Sequence, residues 1–182
     1  MSVIETILIE VETVISQVPE EQLQGLAVEL HKAKRIFIIG EGRSGLMAKS
    51  FAMRLMHLGA NVYVVGETIT PSIEQGDLLV AVSGSGTTKS VVWTAEKTHS
   101  LGCPVIAVTT NPESALAATA NPILHVPAAT KYRRENELKT IQPLGSMFDQ
   151  SVHILFDVIC LEYGKLNEVD HSQAFGRHSN LE

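Results

Sequence analysis

The chain has 182 residues, 45% of them hydrophobic and 19% charged, with a formal net charge of -6. That length suits one domain with a sizeable core. The acidic balance, with no block of Lys or Arg, argues against a nucleic-acid or acidic-membrane surface, although a few local donors can still hold a phosphate.

Ile4, Ile7, Leu8, Val11, Val14 and Ile15 recur at helical spacing, which predicts an amphipathic helix over residues 2–17. Pro19 opens a second helix with Leu23, Leu26, Ala27 and Leu30 on one face. Residues 1–33 thus read as a helical arm before a main domain at 34–182. Residues 35–39 are a β-branched and aromatic run, as expected of a strand buried on both faces. A helix follows over about 44–58, with Met47, Phe51, Leu55 and Leu58 on one stripe. Strands are expected at 61–65, 77–82, 104–109 and 123–126, with a helix at 88–100 and a short one in "NPESALAATA". "AATKYRRENELKTIQ" reads as a polar loop, 144–163 as a long apolar helix, and the remainder as a polar tail. Cys103 and Cys160 lie in apolar contexts and read as buried free thiols. No signal peptide is visible and no run reaches the roughly 18 apolar residues of a spanning helix. The expectation is a cytoplasmic protein without a membrane partner.

Strands alternating with helices predict a five-stranded parallel sheet covered on both faces, a three-layer α-β-α fold of doubly wound type. Ligands in such folds sit beyond the carboxyl ends of the strands. Two Gly/Ser turns fall there. In "SGSGTT", Gly84 and Gly86 let the backbone turn tightly, and Ser83, Ser85, Thr87 and Thr88 offer hydroxyls beside a helix N-terminus. That combination makes an anion site without net positive charge. The bland alternative is a single helix cap, which needs one hydroxyl rather than four. The Walker pattern is absent, which argues against a nucleotide triphosphatase. In "GEGRSG", Gly40, Gly42 and Gly45 match the letters of a dinucleotide fingerprint, and Glu67 lies where a ribose-binding carboxylate would stand. The second turn has no task in that reading. Arg43 and Ser44 could contact sugar hydroxyls or phosphate, or Ser44 could cap its helix.

Together the two turns resemble the sugar isomerase (SIS) domain family over the whole chain after the arm. Its phosphate loop, S-x-S-G-x-T, is met by Ser83, Ser85, Gly86 and Thr88, and its first turn, G-x-G-x-S, by Gly40, Gly42 and Ser44. "GRSGLMAKSFAMRLMHLG", "VYVVGETITP", "QPLGSMFDQ" and the closing "RHSNLE" are similar to the 6-phospho-3-hexuloisomerase branch. The resemblance implies interconversion of D-arabino-3-hexulose 6-phosphate and D-fructose 6-phosphate, in the ribulose monophosphate route of formaldehyde handling. It implies no cofactor and no metal, and a homo-oligomer, a tetramer, with sites near subunit interfaces. Alternatives are another SIS isomerase, acting for example on arabinose 5-phosphate, or a non-catalytic sugar-phosphate sensor. An acidic arm of two helices makes a poor DNA-binding element for such a sensor.

Moving a ketone between C3 and C2 needs a base near both carbons and donors for the enediolate. The resemblance points to Asp149 as that base, where relatives carry Glu. Ser146 and Asp149 are alternatively spaced as a capping box. His57 is the second candidate. It stands about 20 Å from Ser44 along its own helix, so it could serve that site only from a neighbouring subunit. Thr87 stands where the family often has Glu. Glu67 could touch sugar hydroxyls or be a solvated loop carboxylate. Arg177 and His178 suggest a tail that folds over a neighbour's site, and Trp93 reads as packing or interface.

Overall fold

The computed structural model describes residues 1–181. Glu182, the last residue of the closing RHSNLE segment, lies outside them. Helix α1 (Val3–Ile15) starts at a capping box in which Ser2 and Glu5 satisfy each other's amides. Pro19 is the N-cap of α2 (Glu20–Lys32) rather than its first residue. Then follow β1 (Ile36–Gly40), α3 (Gly42–His57), β2 (Val62–Val64), β3 (Leu78–Val82) and α4 (Lys89–Ser100). The chain continues through β4 (Val105–Thr109), β5 (Ile123–His125), α5 (Ser146–Leu166) and α6 (His171–Gly176).

The five strands are all parallel, in the order β2-β1-β3-β4-β5. Side chains alternate between the faces of the sheet. Ile36, Ile38, Leu78, Val80, Val82, Ile106 and Val108 enter one core with α2, α3 and α5. Phe37, Ile39, Leu79, Ala81, Val105 and Ala107 enter a second core, with Val91 and Ala95 of α4. Both faces of the central strands are therefore dry, which is why β1, β3 and β4 read as unbroken apolar runs. The arm is not detached: α1 and α2 both pack on α5, and Gln22 donates to the Ile123 carbonyl at 2.8 Å.

Two local expectations change. The helix expected in "NPESALAATA" shrinks to one 3-10 turn, Ala117–Thr119. Asn111 and Ser114 side chains take the amides of Glu113 and Ala117, and Leu116 donates to the Gly86 carbonyl. These local bonds compete with a helical ladder. The polar tail contains α6, opened by a capping box of Asp170 and Gln173. Among the described residues no helix is long and apolar enough to cross a membrane.

Candidate functional site

The order of the strands reverses direction between β1 and β3: the segment after β1 leads outward to β2, while β3 leads the other way to β4. The loops leaving β1 and β3 therefore diverge and leave a crevice at the carboxyl edge of the sheet. A cleft of about 340 Å³ occupies it, lined by Glu41–Ser44, by Gly84, Ser85 and Thr88, and by Phe148 and Asp149. Thr130, Lys131, Tyr132, Leu144 and Gly145 close its remaining wall. Larger hollows of about 580 and 650 Å³ lie elsewhere, around His125 and Arg134 and between α3 and α5. Neither contains a Gly/Ser turn or Asp149, so chemistry rather than size selects the cleft.

The loop at 83–88 is internally braced. Ser83 and Thr88 share a hydroxyl-hydroxyl bond of 2.8 Å. Ser85 Oγ accepts from the Thr87 amide and hydroxyl at 3.2 and 3.0 Å. The Gly84 carbonyl accepts from Thr110 Oγ1 at 2.8 Å. Gly86 has φ 67°, and a Cβ there would collide with Ser114. Glycine is required on both counts. Thr88 is the N-cap of α4, yet no side chain caps that helix, because its hydroxyl is turned to Ser83. No side chain takes the first-turn amides of α4 as a cap, which is the arrangement that lets a helix N-terminus hold an anion. A simple helix cap is thereby overturned.

In "GEGRSG", Gly40 and Gly45 let β1 and α3 touch; a Cβ on Gly45 would meet the Gly40 carbonyl oxygen at 2.7 Å. Ser44 does not cap its helix, since the N-cap is Glu41. It instead donates to Asp149 Oδ1 at 2.7 Å. The helical repeat explains the meeting. Ser44 and Phe51 share a stripe of α3, Asp149 and Phe156 share one of α5, and Phe51 stacks on Phe156 with ring centroids 4.1 Å apart. Seven residues are close to two turns, so the aromatic pair sets the hydrophilic one.

Asp149 is only 4% exposed. Burial pushes its carboxyl above the ordinary aspartate value, while the Ser44 bond and the Arg43 charge oppose the rise. Arg43 Nε stands 3.6 Å from Asp149 Oδ2, and Arg43 Nη1 donates to Ser146 Oγ at 3.2 Å. The capping-box spacing of Ser146 and Asp149 is not used as one: Gly145 is the N-cap and no side chain caps α5. A buried carboxyl with a raised pKa thus lines the same cleft as Gly84, Ser85 and Thr88.

Other expected positions lie apart. Glu67 is exposed, pairs with Lys49 at 3.6 Å and does not line the cleft. Thr87 is exposed on the loop's outer side. His57 is buried at the far end of α3, stacked on His178 at 5.3 Å, with Arg177 donating to its carbonyl at 3.2 Å. The tail therefore docks on its own chain. Burial first, then the Arg54 and His178 charges, hold the His57 imidazole below its ordinary pKa. Sequence reasoning did not single out Glu41, Thr130, Lys131 or Tyr132. Glu41 accepts from Ser90 Oγ at 2.8 Å across the cleft's mouth. The basic-aromatic cluster KYRR was the available signal for the loop. Among the described residues no three His, Cys, Asp or Glu side chains gather as a metal site would need.

The SIS domain family model matches residues 29–154. The chain is 43% identical over 176 residues to the 3-hexulose-6-phosphate isomerase of Bacillus subtilis (strain 168), covering 97% of this chain and 95% of that relative. It is 40% identical over 173 residues to the 3-hexulose-6-phosphate isomerase of Mycobacterium gastri, covering 95% and 86%. A hypothetical protein of Methanococcus jannaschii, whose crystal structure infers a molecular function of 3-hexulose-6-phosphate isomerase, superposes with a TM-score of 0.85 at 33% identity, over 98% of both chains. By sequence and fold alike, the chain belongs to the SIS domain family.

Proposed function

We propose that this chain is a 3-hexulose-6-phosphate isomerase, interconverting D-arabino-3-hexulose 6-phosphate and D-fructose 6-phosphate. One observation carries the site assignment: a buried carboxylate, Asp149, bonded to Ser44 at 2.7 Å in the cleft that also holds Gly84, Ser85 and Thr88. The relatives that bear this activity's name cover nearly the whole chain, which supports the choice of sugar.

In this reading the phosphate at C6 sits on the Ser/Thr loop and the N-terminus of α4, with Gly84, Ser85 and Thr88 as the grip and Ser83 and Gly86 holding the loop's shape. Binding the remote phosphate orients the sugar and lowers the entropy cost of the reaction. Asp149 removes the proton on C2, and the C2–H electron pair forms the C2–C3 double bond of an enediolate with its charge on O3. The same carboxyl returns a proton to C3. O2 gives up its hydroxyl proton as it becomes the new carbonyl, and O3 takes one. Arg43 places a positive charge beside the developing oxyanion, and Gly42, Arg43 and Ser44 border the sugar. The raised pKa of Asp149 brings the base nearer to neutral pH, where proton transfer is better matched.

A homo-oligomer, with a tetramer as the expected form, fits the exposed apolar residues Leu46, Met53, Trp93 and Leu161. In it, His57 and Glu67 act only if a neighbouring copy presents them, and residues 1–33 serve as an arm on the domain formed by 34–182. A cytoplasmic place in the ribulose monophosphate route follows from the same reading. The test is incubation with fructose 6-phosphate in deuterated water. Deuterium should appear at C3, with 3-hexulose 6-phosphate accumulating. Conversion of arabinose 5-phosphate alone would assign a different phosphosugar. Tight binding of fructose 6-phosphate without exchange would make the chain a sensor.

A further inference from the structure

The cleft wall at 127–145 has no helix or strand of its own. Three charged side chains fix it instead. Arg133 donates to the carbonyls of Thr130 and Leu144 at 2.6 and 3.0 Å and also to that of Gln142. Glu137 accepts from the Thr130 amide and hydroxyl at 2.9 and 2.6 Å. The third comes from the opposite end of the chain. Glu10, on α1, accepts from Thr140 Oγ1 at 2.6 Å, from the Ile141 amide at 2.8 Å and from Gln142 Nε2 at 3.0 Å. Arg133 and Leu144 adopt φ of 49° and 52°. Residues with side chains keep such conformations only where their surroundings impose them.

We propose that Glu10 is a positioning residue of the active site, clamping the 127–145 loop so that Lys131, Tyr132 and Leu144 stay against the cleft that holds Asp149. The inference rests on reading that cleft as the isomerase site. It gives the arm a task, although Glu10 lies outside the family match at residues 29–154. The bonds are of the stronger, charge-assisted kind, three on one carboxylate. Burial pulls the Glu10 carboxyl upward, but the Thr140, Gln142 and Ile141 bonds outweigh it and keep the group below its ordinary value. An ionised clamp is therefore present throughout the neutral range. Glu10 touches no reacting atom. Its effect passes through the loop, which shields the cleft from water and fixes its shape.

The experiment compares wild type, Glu10→Ala, Thr140→Val, the double variant and Glu12→Ala, a change at an exposed position on the same helix. Hydrogen exchange across 130–144, fructose 6-phosphate affinity and the kinetics of hexulose phosphate turnover are measured for each. Glu10→Ala should speed exchange in that loop selectively, weaken sugar-phosphate binding, and lower kcat/KM by about tenfold to a hundredfold, the range expected for slight misplacement. The double variant should lose less than the product of the two single losses, because both act on one contact. Glu12→Ala should match wild type. The proposal is overturned if Glu10→Ala leaves loop exchange unchanged, or loosens the loop without altering affinity and kcat/KM. Should wild type itself fail to turn over the hexulose phosphate, the functional reading fails, and exchange with fructose 6-phosphate affinity still decides the clamp.

Discussion

Asp149 is a carboxylate on an otherwise apolar stripe of α5, with Val152 and Phe156 on the same side. Burying such a group is unfavourable unless it is paired, and here Ser44 and Arg43 compensate. Because its folded pKa is raised, the group favours the folded state at low pH, and that contribution is lost as pH rises through the folded value. Asp149→Asn should therefore unfold no more readily than wild type at neutral pH. Its turnover should fall by about 10²–10⁴, the contribution typical of a general base. Chemical denaturation and steady-state kinetics check both halves together. As a base the group must be ionised, so kcat/KM should fall as pH drops through the raised pKa. Ser44→Ala removes a bond that lowers that pKa, and the acid limb of the pH profile should move to higher pH. An unmoved limb would separate Ser44 from the ionisation of Asp149. Much of this was legible beforehand: Ser44 and Asp149 were candidates, but nothing local links two residues 105 positions apart.

At the scale of elements, the loop at 83–88 depends on what flanks it. Ser83 follows a fully buried strand, Thr109 and Thr110 at the end of β4 hold the Gly84 carbonyl, and Leu116 holds that of Gly86. Gly86→Ala forces a side chain into positive φ and against Ser114. It should cost about 1–3 kcal/mol in strain alone. The sugar-phosphate KM should rise, read by thermal unfolding and kinetics in parallel. A variant with both parameters intact would deny the loop its rigid role. The letters S-x-S-G-x-T announced this loop from the sequence because hydroxyls and glycines have few other reasons to cluster after an apolar strand. The wall at 127–145 announced itself only as polar. Its shape comes from Arg133, Glu137 and Glu10, whose partners are carbonyls, amides and distant side chains that no periodicity encodes.

At the scale of the molecule, the tail closes over the far end of α3. His178 stacks on His57, and Arg177 binds the His57 carbonyl. The depressed His57 pKa means that its contribution is full above the unfolded value and is lost as pH falls through the folded one. Protease protection of the tail should thus weaken below about pH 6.5, the unperturbed histidine value. Deleting residues 171–182 should return His57 toward ordinary titration, measurable by NMR. Persistence of the low pKa in the truncated chain would mean that the tail does not desolvate His57.

Beyond Asp149, which only the family resemblance pointed to, the sequence by itself determined the layered parallel sheet, both Gly/Ser turns and the candidates Ser83, Ser85 and Thr88. Those features rest on local chemistry: runs of β-branched residues, helical stripes, and the few residues that turn tightly. Only the tertiary structure decided which candidates meet. It joined Ser44 to Asp149 through the packing of α3 on α5, left Glu67 and His57 outside the cleft, and brought Glu10 across 130 residues to Thr140. The physical reason is that side-chain direction across a packed interface depends on how two helices lie against each other, and no single segment carries that information.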